Sequence, residues 1–400
     1  MNRTVNESRP FKLNTRRRLL NAIAMLMLIP CLTMAAPLLP QDDKILLFVG
    51  QDSDTIAKYA EAMPEDPLEG VTLYAFLKHE HPEQSFPTLL NAIDFGSGTV
   101  NFGQTLSAHP NAALAVGLAF DRCNDVDHAQ RILDGSYDTS VGFLVSYLKD
   151  LAPRPVFLRI GYEFDGLWNC YEPDSYTAVF RLLHQRLEQA GADNVVTVWQ
   201  SAAWPDPTEG DQVLTQYDHR RAEHLSQWYP GDDVVDWVSL SVFYRDLSQW
   251  DFVPPDHPAA IQEKILAFAR ERDKPVMIAE AAPQAYRTGA QTRSYIHFNQ
   301  QRPFSGQQIW DAWYQPFFDF IYANQDVIRA VAYINTHWET QPMWRCDEGL
   351  RVGDQHCQQG NWGDSRVQAN PEIRQRWLEQ IHNPAIWVQH EQLDRQGKQD

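Results

Sequence analysis

Short apolar runs recur along the whole chain, and turn residues or helical stretches separate each run from the next. The runs are nearly continuous instead of alternating with polar residues, which is typical of strands that a parallel sheet buries on both faces. We count eight of them, at residues 45–49, 71–76, 112–120, 155–160, 195–200, 235–243, 275–279 and 328–335. Segments between the runs, for example 175–184 and 261–269, carry apolar residues at helical spacing.

Strands that alternate with helices predict right-handed crossovers and a parallel sheet. Eight strands are the number that closes a (β/α)₈ TIM barrel. An open doubly wound sheet is the alternative, but the Gly-rich phosphate loop expected after its first strand is absent from the sequence. We therefore predict a single α/β barrel domain over residues 36–388, followed by a polar tail at 389–400.

The first 35 residues have the features of a secretory signal. Three arginines at 16–18 precede an apolar run at 19–36, and residues 33–35 include small side chains at a spacing suited to signal peptidase. The alternative is an uncleaved anchor, because about 18 apolar residues can just span a bilayer. We expect an exported protein, periplasmic or secreted, that contacts a membrane only if this segment is retained.

The charge of the chain excludes several partners. The formal net charge is −18, and removal of residues 1–35 takes away six basic residues and one acidic residue, which leaves the mature chain still more acidic. Such a surface repels nucleic acid and anionic membranes, and no basic stripe offsets it. Neutral sugars are not repelled, so a polysaccharide or oligosaccharide is compatible with this surface. We expect the protein to act as a monomer.

The cysteines point to disulfide bonds. Of five cysteines, Cys31 lies in the leader, which leaves an even set of four in the expected mature chain. In an exported protein such a set suggests two disulfides, and three pairings are possible. The simplest pairing joins Cys346 to Cys357 and Cys123 to Cys170.

Two glutamates follow apolar runs of the same build. Glu163 comes just after the run at 155–160, and Glu280 just after the run at 275–279. Because all strands of such a barrel point the same way, both carboxylates are expected to open into one pit. Two carboxylates across a pit can cleave a glycosidic bond. The alternative is that each caps a loop or pairs with an arginine, and Asp165 could replace Glu163 in a shifted register.

A longer pattern surrounds these glutamates. Arg159 and Glu163 form an Arg-x-x-x-Glu motif, and Gly166 and Trp168 follow it. Further matching stretches lie at 194–199, 228–237 and 274–280. These features resemble glycoside hydrolase family 26, of the clan of retaining (β/α)₈ glycosidases that includes endo-β-1,4-mannanases. The resemblance is clear over about residues 150–285 and weak elsewhere.

The resemblance implies that Glu163 is the acid/base and Glu280 the nucleophile of an endo-acting retaining β-glycanase. Its substrate would be a β-mannan or a related β-glycan, and its mechanism a double displacement. In a retaining site the two carboxyls stand about 5 to 5.5 Å apart, so the charge on one holds the proton on the other. The chain departs from the family at Tyr162, where the family has His and related families have Asn. A phenol can still donate to a sugar, but it reaches further, so the specificity is expected to differ.

Arg159 has the same strand parity as Gly161 and Glu163 and should point inward. There it could keep Glu280 ionised. The alternative is that it pairs with buried carboxylates and contributes only to the stability of the fold. At the end of the sixth run, Tyr244 could donate to Glu280, but its neighbour Phe243 faces the other way. Which of these two looks inward depends on where strand pairing ends.

Several tryptophans are candidates for sugar stacking. Trp338, past the eighth run, is a candidate floor for the cleavage subsite, because the C–H faces of pyranose rings stack on indole. Trp168, Trp199 and Trp204 are further candidates, although an aromatic at a strand end is usually core. The long loop at 338–366 should lie on the catalytic face, and its 362–366 segment is read as an ordered turn with an Asp–Arg pair.

We expect no metal and no cofactor, since retaining hydrolysis requires neither. His79 and His81 form an i, i+2 pair in a Pro-containing loop, which is more typical of solvated side chains than of metal ligands. Two other functions stay open. One is a non-catalytic glycan-binding barrel in which Tyr162 marks a lost active site, and the other is a membrane-anchored glycosidase that acts on the cell's own exopolysaccharide.

Overall fold

The computed structural model describes residues 38–120, 123, 126–209, 211–243 and 257–389. The predicted signal segment at 1–35, the tail from 390 onward and Tyr244 lie outside the described residues. Within the described part of the chain, no helix is both long enough and apolar enough to cross a bilayer.

Eight parallel strands form a closed barrel, as predicted. In chain order we number them β1 to β8: Leu46–Gly50, Gly70–Phe76, Ala113–Ala119, Val156–Ile160, Val195–Ser201, Trp237–Val242, Val276–Ala281 and Ile328–Ile334. Each strand pairs with its neighbours in sequence, and β1 pairs with β8. The closure confirms the (β/α)₈ prediction, and an open doubly wound sheet is excluded.

Helices fill the connections between strands. The α-helices are Ser53–Ala62, Pro82–Ser85, Pro87–Leu90, Phe102–Ala108, His128–Leu133, Asp138–Asp150, Pro173–Ala190, His224–Trp228, Pro258–Arg270, Gly306–Ile309, Gln315–Ala323 and Pro371–Ile381. Short 3₁₀ segments lie at Gln41–Asp43, Leu167–Asn169, Thr215–Tyr217, Trp338–Thr340 and Val367–Ala369, with a π-helical turn at Trp310–Tyr314.

The helix Pro173–Ala190 shows how sequence produces these elements. Pro173 occupies the first position of the helix, where the backbone N–H that proline lacks would have no partner within the helix. Gly191 caps the other end with a left-handed φ of 66°. Its buried residues are Tyr176, Val179, Phe180, Leu183 and Leu187, whose spacing of three or four places them on one face. That face packs against the barrel.

The interior of the barrel changes character along its axis. Its amino-terminal part is apolar and contains Leu46, Phe48, Ala113, Ala115, Phe157, Val196, Val198, Trp237, Met277, Ala279, Ala330 and Ala332. Further toward the carboxyl-terminal end, polar residues also face the interior, among them Tyr74, Arg159, Gln200, Ser241 and Glu280. Buried polar groups need partners, so this layer is held by hydrogen bonds between strands.

A bulge in β7 turns Glu280 inward. Leu240 of β6 pairs with Ile278, but the next residue, Ser241, pairs with Glu280, so β7 contains one extra residue there. Met277 and Ala279 already face the interior, and strict alternation would therefore turn Glu280 outward. The extra residue resets the alternation.

Two loops close over one side of the barrel mouth. A small sheet joins Arg302–Pro303, Thr292–Arg293 and Tyr286–Arg287, after β7, to Gly363–Asp364, after β8. The disulfides Cys123–Cys170 and Cys346–Cys357 form as predicted. The predicted Asp–Arg turn is also present, since both carboxylate oxygens of Asp364 accept from Arg366 at 2.8 Å.

Candidate active site

A cleft of about 410 Å³ opens at the carboxyl-terminal end of the barrel. Both Glu163 and Glu280 line it, so the prediction that the two carboxylates share one pit is confirmed. Half of the lining residues are aromatic: Tyr74, Phe76, Phe95, Tyr162, Trp168, Phe243, Trp338, Trp344 and Trp362. The same cleft therefore combines two acids with flat apolar surfaces of the kind on which sugar rings stack.

Glu280 is 7% exposed and accepts hydrogen bonds from three strands. Its Oε1 accepts from the Tyr74 hydroxyl at 3.0 Å, from Gln200 Nε2 at 3.4 Å, and from Arg159 Nη2 in a buried ion pair. Arg159, as predicted from parity, points inward. Donors from β2, β4 and β5 therefore fix the orientation of this carboxylate.

Arg159 is completely buried and lies between aromatic rings. Its guanidinium is 5.1 Å from the ring centroid of Tyr74 and 5.3 Å from that of Tyr162. Burial alone would lower the pKa of Arg159, but the neighbouring Tyr74 and Glu280 outweigh it and raise that pKa. Burial raises the pKa of Tyr74 well above its ordinary value, so its hydroxyl keeps its proton and can donate to Glu280.

Glu163 sits in a tight turn directly after β4. Its φ of 53° is left-handed, which is uncommon for a residue other than glycine. Asn169 holds this turn, because its Nδ2 donates to the carbonyl oxygens of Tyr162 at 2.9 Å and of Glu163 at 3.1 Å. The side chain of Glu163 accepts from Ser241 Oγ at 2.7 Å through Oε1, and from Trp168 Nε1 at 2.8 Å through Oε2.

Trp338 forms one wall of the cleft and is tightly held. Its Nε1 donates to Ser365 Oγ at 3.1 Å, and its ring packs against those of Trp344 and Trp362 with centroids 5.5 Å and 5.1 Å away. Trp168, on another wall, is 46% exposed. The two rings differ in exposure: Trp338 is a buried, fixed surface, whereas Trp168 is partly exposed and its Nε1 donates to Glu163.

Trp199 requires a correction. The sequence predicts a substrate-binding residue here, but the side chain of Trp199 is fully buried outside the barrel. It stacks on Phe164 with centroids 4.4 Å apart, and its Nε1 donates to the carbonyl oxygen of Trp228. Because Val198 and Gln200 face the interior, Trp199 between them must face the helices. It is a core residue, and Trp204 also lies outside the cleft lining.

Asp165 does not replace Glu163. Its carboxylate accepts from Ser201 Oγ and the Ala202 amide, each at 2.7 Å, and lies 3.0 Å from His224 Nε2. Burial alone would raise the pKa of Asp165, but these hydrogen bonds and His224 lower it. The group is therefore an ionised anchor for the loop behind the cleft. Tyr244, the proposed donor to Glu280, lies outside the described residues.

Sequence reasoning missed three residues of the site: Tyr74, Gln200 and Ser241. All three occupy inward positions of their strands, and alternation from Val196 through Val198 identifies Gln200 without a structure. The same alternation, followed from Trp237, identifies Ser241 as an inward residue. It also turns Phe243 inward, and Phe243 lines the cleft. Among the described residues, no group of three or more His, Cys, Asp or Glu could hold a metal ion.

No protein-family model matches the chain. By sequence it is 33% identical over 346 residues to a β-1,3-xylanase from a Vibrio species and 32% identical over 346 residues to a β-1,3-xylanase from an Alcaligenes species. Both alignments cover 86% of this chain, but 66% and 64% of those proteins. The chain thus spans just under two thirds of the length of these relatives.

Solved structures with the same fold include mannanases. A family 26 β-mannanase from Bacteroides ovatus matches with a TM-score of 0.50 at 12% identity, covering 86% of this chain and 90% of that one. An endo-β-1,4-mannanase from Cellulomonas fimi matches with a TM-score of 0.52 at 14% identity, covering 88% and 73%. These likenesses concern the fold, while the sequence relatives and the Arg159–Glu163 motif concern the family. The chain belongs to glycoside hydrolase family 26.

Proposed function

We propose that this protein hydrolyses an uncharged β-linked polysaccharide with retention, with Glu163 as acid/base and Glu280 as nucleophile. The observation that carries the proposal is that both carboxylates line one aromatic cleft and have different surroundings. Glu280 is paired with Arg159 and is suited to remain charged. Glu163 lies beside the partly exposed Trp168 and is suited to exchange a proton with a ligand.

In the first step, protonated Glu163 transfers its proton to the glycosidic oxygen while the bond from that oxygen to the anomeric carbon breaks. A carboxylate oxygen of Glu280 forms a bond to the anomeric carbon, and the leaving sugar departs as a neutral alcohol. The enzyme then carries a glycosyl ester on Glu280 and a carboxylate on Glu163.

In the second step, the Glu163 carboxylate takes a proton from water as the water oxygen attacks the anomeric carbon. The ester bond to Glu280 breaks, and its electron pair returns to the carboxylate, where Arg159 and Tyr74 stabilise the charge. Glu163 is protonated again, so the cycle closes. Two inversions give retention of configuration.

We take β-1,3-xylan as the first substrate to test. The two sequence relatives are named for that activity, and Tyr162 stands where the family has His, which supports a specificity other than β-1,4-mannan. Pyranose rings without charged groups also suit the acidic surface of the chain. A cleft open at the barrel mouth supports attack within a polymer.

The experiment assays reducing ends released from β-1,3-xylan, β-1,4-mannan, mixed-linkage glucan and microbial exopolysaccharides. Glu280→Ala is expected to lose at least about 10⁴-fold in kcat, and Glu163→Ala to lose less on aryl glycosides whose leaving groups need no proton. Glu188→Gln removes an exposed carboxylate on an outer helix and serves as the control. Proton NMR of the first product anomer measures retention.

Full activity in both variants would exclude this assignment. Binding to a glycan without turnover of any substrate would instead favour the non-catalytic glycan-binding barrel. Export from the cell is also part of the proposal, supported by the two disulfides. Fractionation of the producing cells separates a released enzyme from one that stays anchored and acts on the cell's own exopolysaccharide.

A further inference from the structure

A continuous chain of hydrogen bonds joins the two carboxylates through Gln200 and Ser241. The amide nitrogen of Gln200 is 3.4 Å from Glu280 Oε1 and 3.1 Å from Ser241 Oγ. Ser241 Oγ in turn is 2.7 Å from Glu163 Oε1. Gln200 is fully buried and Ser241 is 2% exposed, so bulk water does not compete for these contacts.

Chemistry fixes the direction of every bond in this chain. Arg159 Nε can only donate, and it lies 2.8 Å from Gln200 Oε1, so the amide oxygen of Gln200 faces Arg159. The amide N–H groups must then point at Ser241 and Glu280. Because Ser241 accepts from Gln200, its own single proton is directed at Glu163.

We propose that Gln200 and Ser241 are positioning residues that transmit the charge state of Glu280 to Glu163. This rests on the proposed function, in which Glu280 alternates between a carboxylate and a glycosyl ester. A carboxylate competes strongly for the Gln200 amide, whereas a neutral ester is a weaker acceptor. When Glu280 carries the sugar, the amide donates more fully to Ser241, and Ser241 becomes a stronger donor to Glu163.

A stronger donor favours the ionised form of a carboxyl group. Glu163 therefore releases its proton more readily at the stage when it must act as a base on water.

The first test needs no turnover. The carboxyl carbon of Glu163 is titrated by ¹³C NMR in protein labelled at glutamate, with the signal assigned by its absence in Glu163→Gln. In the otherwise unaltered protein, Glu280→Gln is expected to lower the titration midpoint by about one pH unit or more. In the Ser241→Ala background the same change should produce a clearly smaller shift. An equal shift in both backgrounds would mean that the charge acts directly through space, and the relay would be discarded.

The second test uses an aryl glycoside whose good leaving group makes deglycosylation rate-limiting. Ser241→Ala and Gln200→Met are each expected to lower kcat about tenfold, while Ser241→Thr restores most of the rate. Ser239→Ala removes a hydroxyl two residues away on the same strand and is the matched control. If Ser241→Ala behaved like Ser239→Ala, the proposal would be wrong. If the unaltered protein hydrolyses no glycan, the proposed function fails, but the NMR titration still decides whether the relay exists.

Discussion

Tyr74 and Glu280 meet across the mouth of the barrel, where the phenol donates a 3.0 Å hydrogen bond to the carboxylate. The two residues are 206 positions apart in sequence. Tyr74 lies on β2 and Glu280 on β7, so only closure of the barrel brings them together. Tyr74 and Arg159 together hold the carboxylate of Glu280 in the cleft.

Tyr74→Phe should lower kcat by about tenfold or more and change KM little. The hydrogen bond to a charged group is lost, and such bonds contribute about 1.5 to 3 kcal/mol. Because Tyr74 stays protonated well above neutral pH, the effect should be constant over the range of the assay. Tyr147→Phe, on an outer helix, is the control. Equal losses in both variants would point to general destabilisation instead of a role at Glu280.

Gly117→Ala is expected to lower kcat although it adds only a methyl group. Gly117 on β3 pairs with Tyr74 on β2 and with Arg159 on β4. A Cβ there would stand 2.5 Å from the Tyr74 ring, which must move away from Glu280. The kcat of Gly117→Ala should fall to about that of Tyr74→Phe. In the double variant, the loss of kcat expressed as a free energy should be smaller than the sum of the two single losses. Strict additivity in this double-mutant cycle would contradict the explanation.

Arg287 connects the two loops that carry the Trp338 wall. It is 4% exposed, forms an ion pair with Glu339, and donates to Asn299 Oδ1 at 3.1 Å. Burial alone would raise the pKa of Glu339, but hydrogen bonds from His337 and Arg287 lower it. Glu339 follows Trp338 directly, so this pair fixes the position of the indole.

Arg287→Met should raise KM several-fold and reduce the free energy of unfolding by about 3 kcal/mol, because one partner of a buried ion pair is removed. Urea denaturation followed by tryptophan fluorescence measures the stability, and steady-state kinetics measures KM. Arg345→Met breaks an exposed pair with Asp347 in the same loop and is expected to change neither. A similar small effect in both variants would show that the Arg287 pair does not hold the wall.

The eight strands could be predicted because a parallel strand buried on both faces leaves a continuous apolar run, which is a local signal. Arg159 and Glu163 could be placed by alternation within one strand. Trp199 is wrong as a candidate for sugar stacking, because alternation from Val198 turns it toward the helices. That error was avoidable from the sequence alone.

Other features depend on contacts that no local pattern reveals. Glu280 faces inward only because β7 contains an extra residue opposite β6, and strict alternation from Ala279 points it outward. Tyr74 reaches Glu280 only because a neighbouring strand has Gly117 at the register position beside it. The Arg287–Glu339 pair joins two loops whose paths depend on each other.

At the opposite end of the barrel, Glu69 precedes β2 and lines a separate cavity with Glu65 and Asp66. It is 7% exposed, and its Oε2 has no hydrogen-bond partner within the described structure. Burial, together with the nearby Asp66, raises the pKa of Glu69 from 4.5 to about 8. The folded protein therefore keeps a proton here that the unfolded chain loses above about pH 4.5.

Glu69→Gln should consequently stabilise the protein in a pH-dependent way without changing kcat. Below pH 4.5 both folded and unfolded chains hold the proton, and the variant should match the unaltered protein. As pH rises toward 8, the ionised unfolded chain is favoured, so the unaltered protein loses stability and the variant does not. At pH 7 the difference should reach about 3 kcal/mol. Urea denaturation at pH 4.5 and 7.5 measures it, and a benefit of equal size at both values would show that ionisation of Glu69 is not the cause.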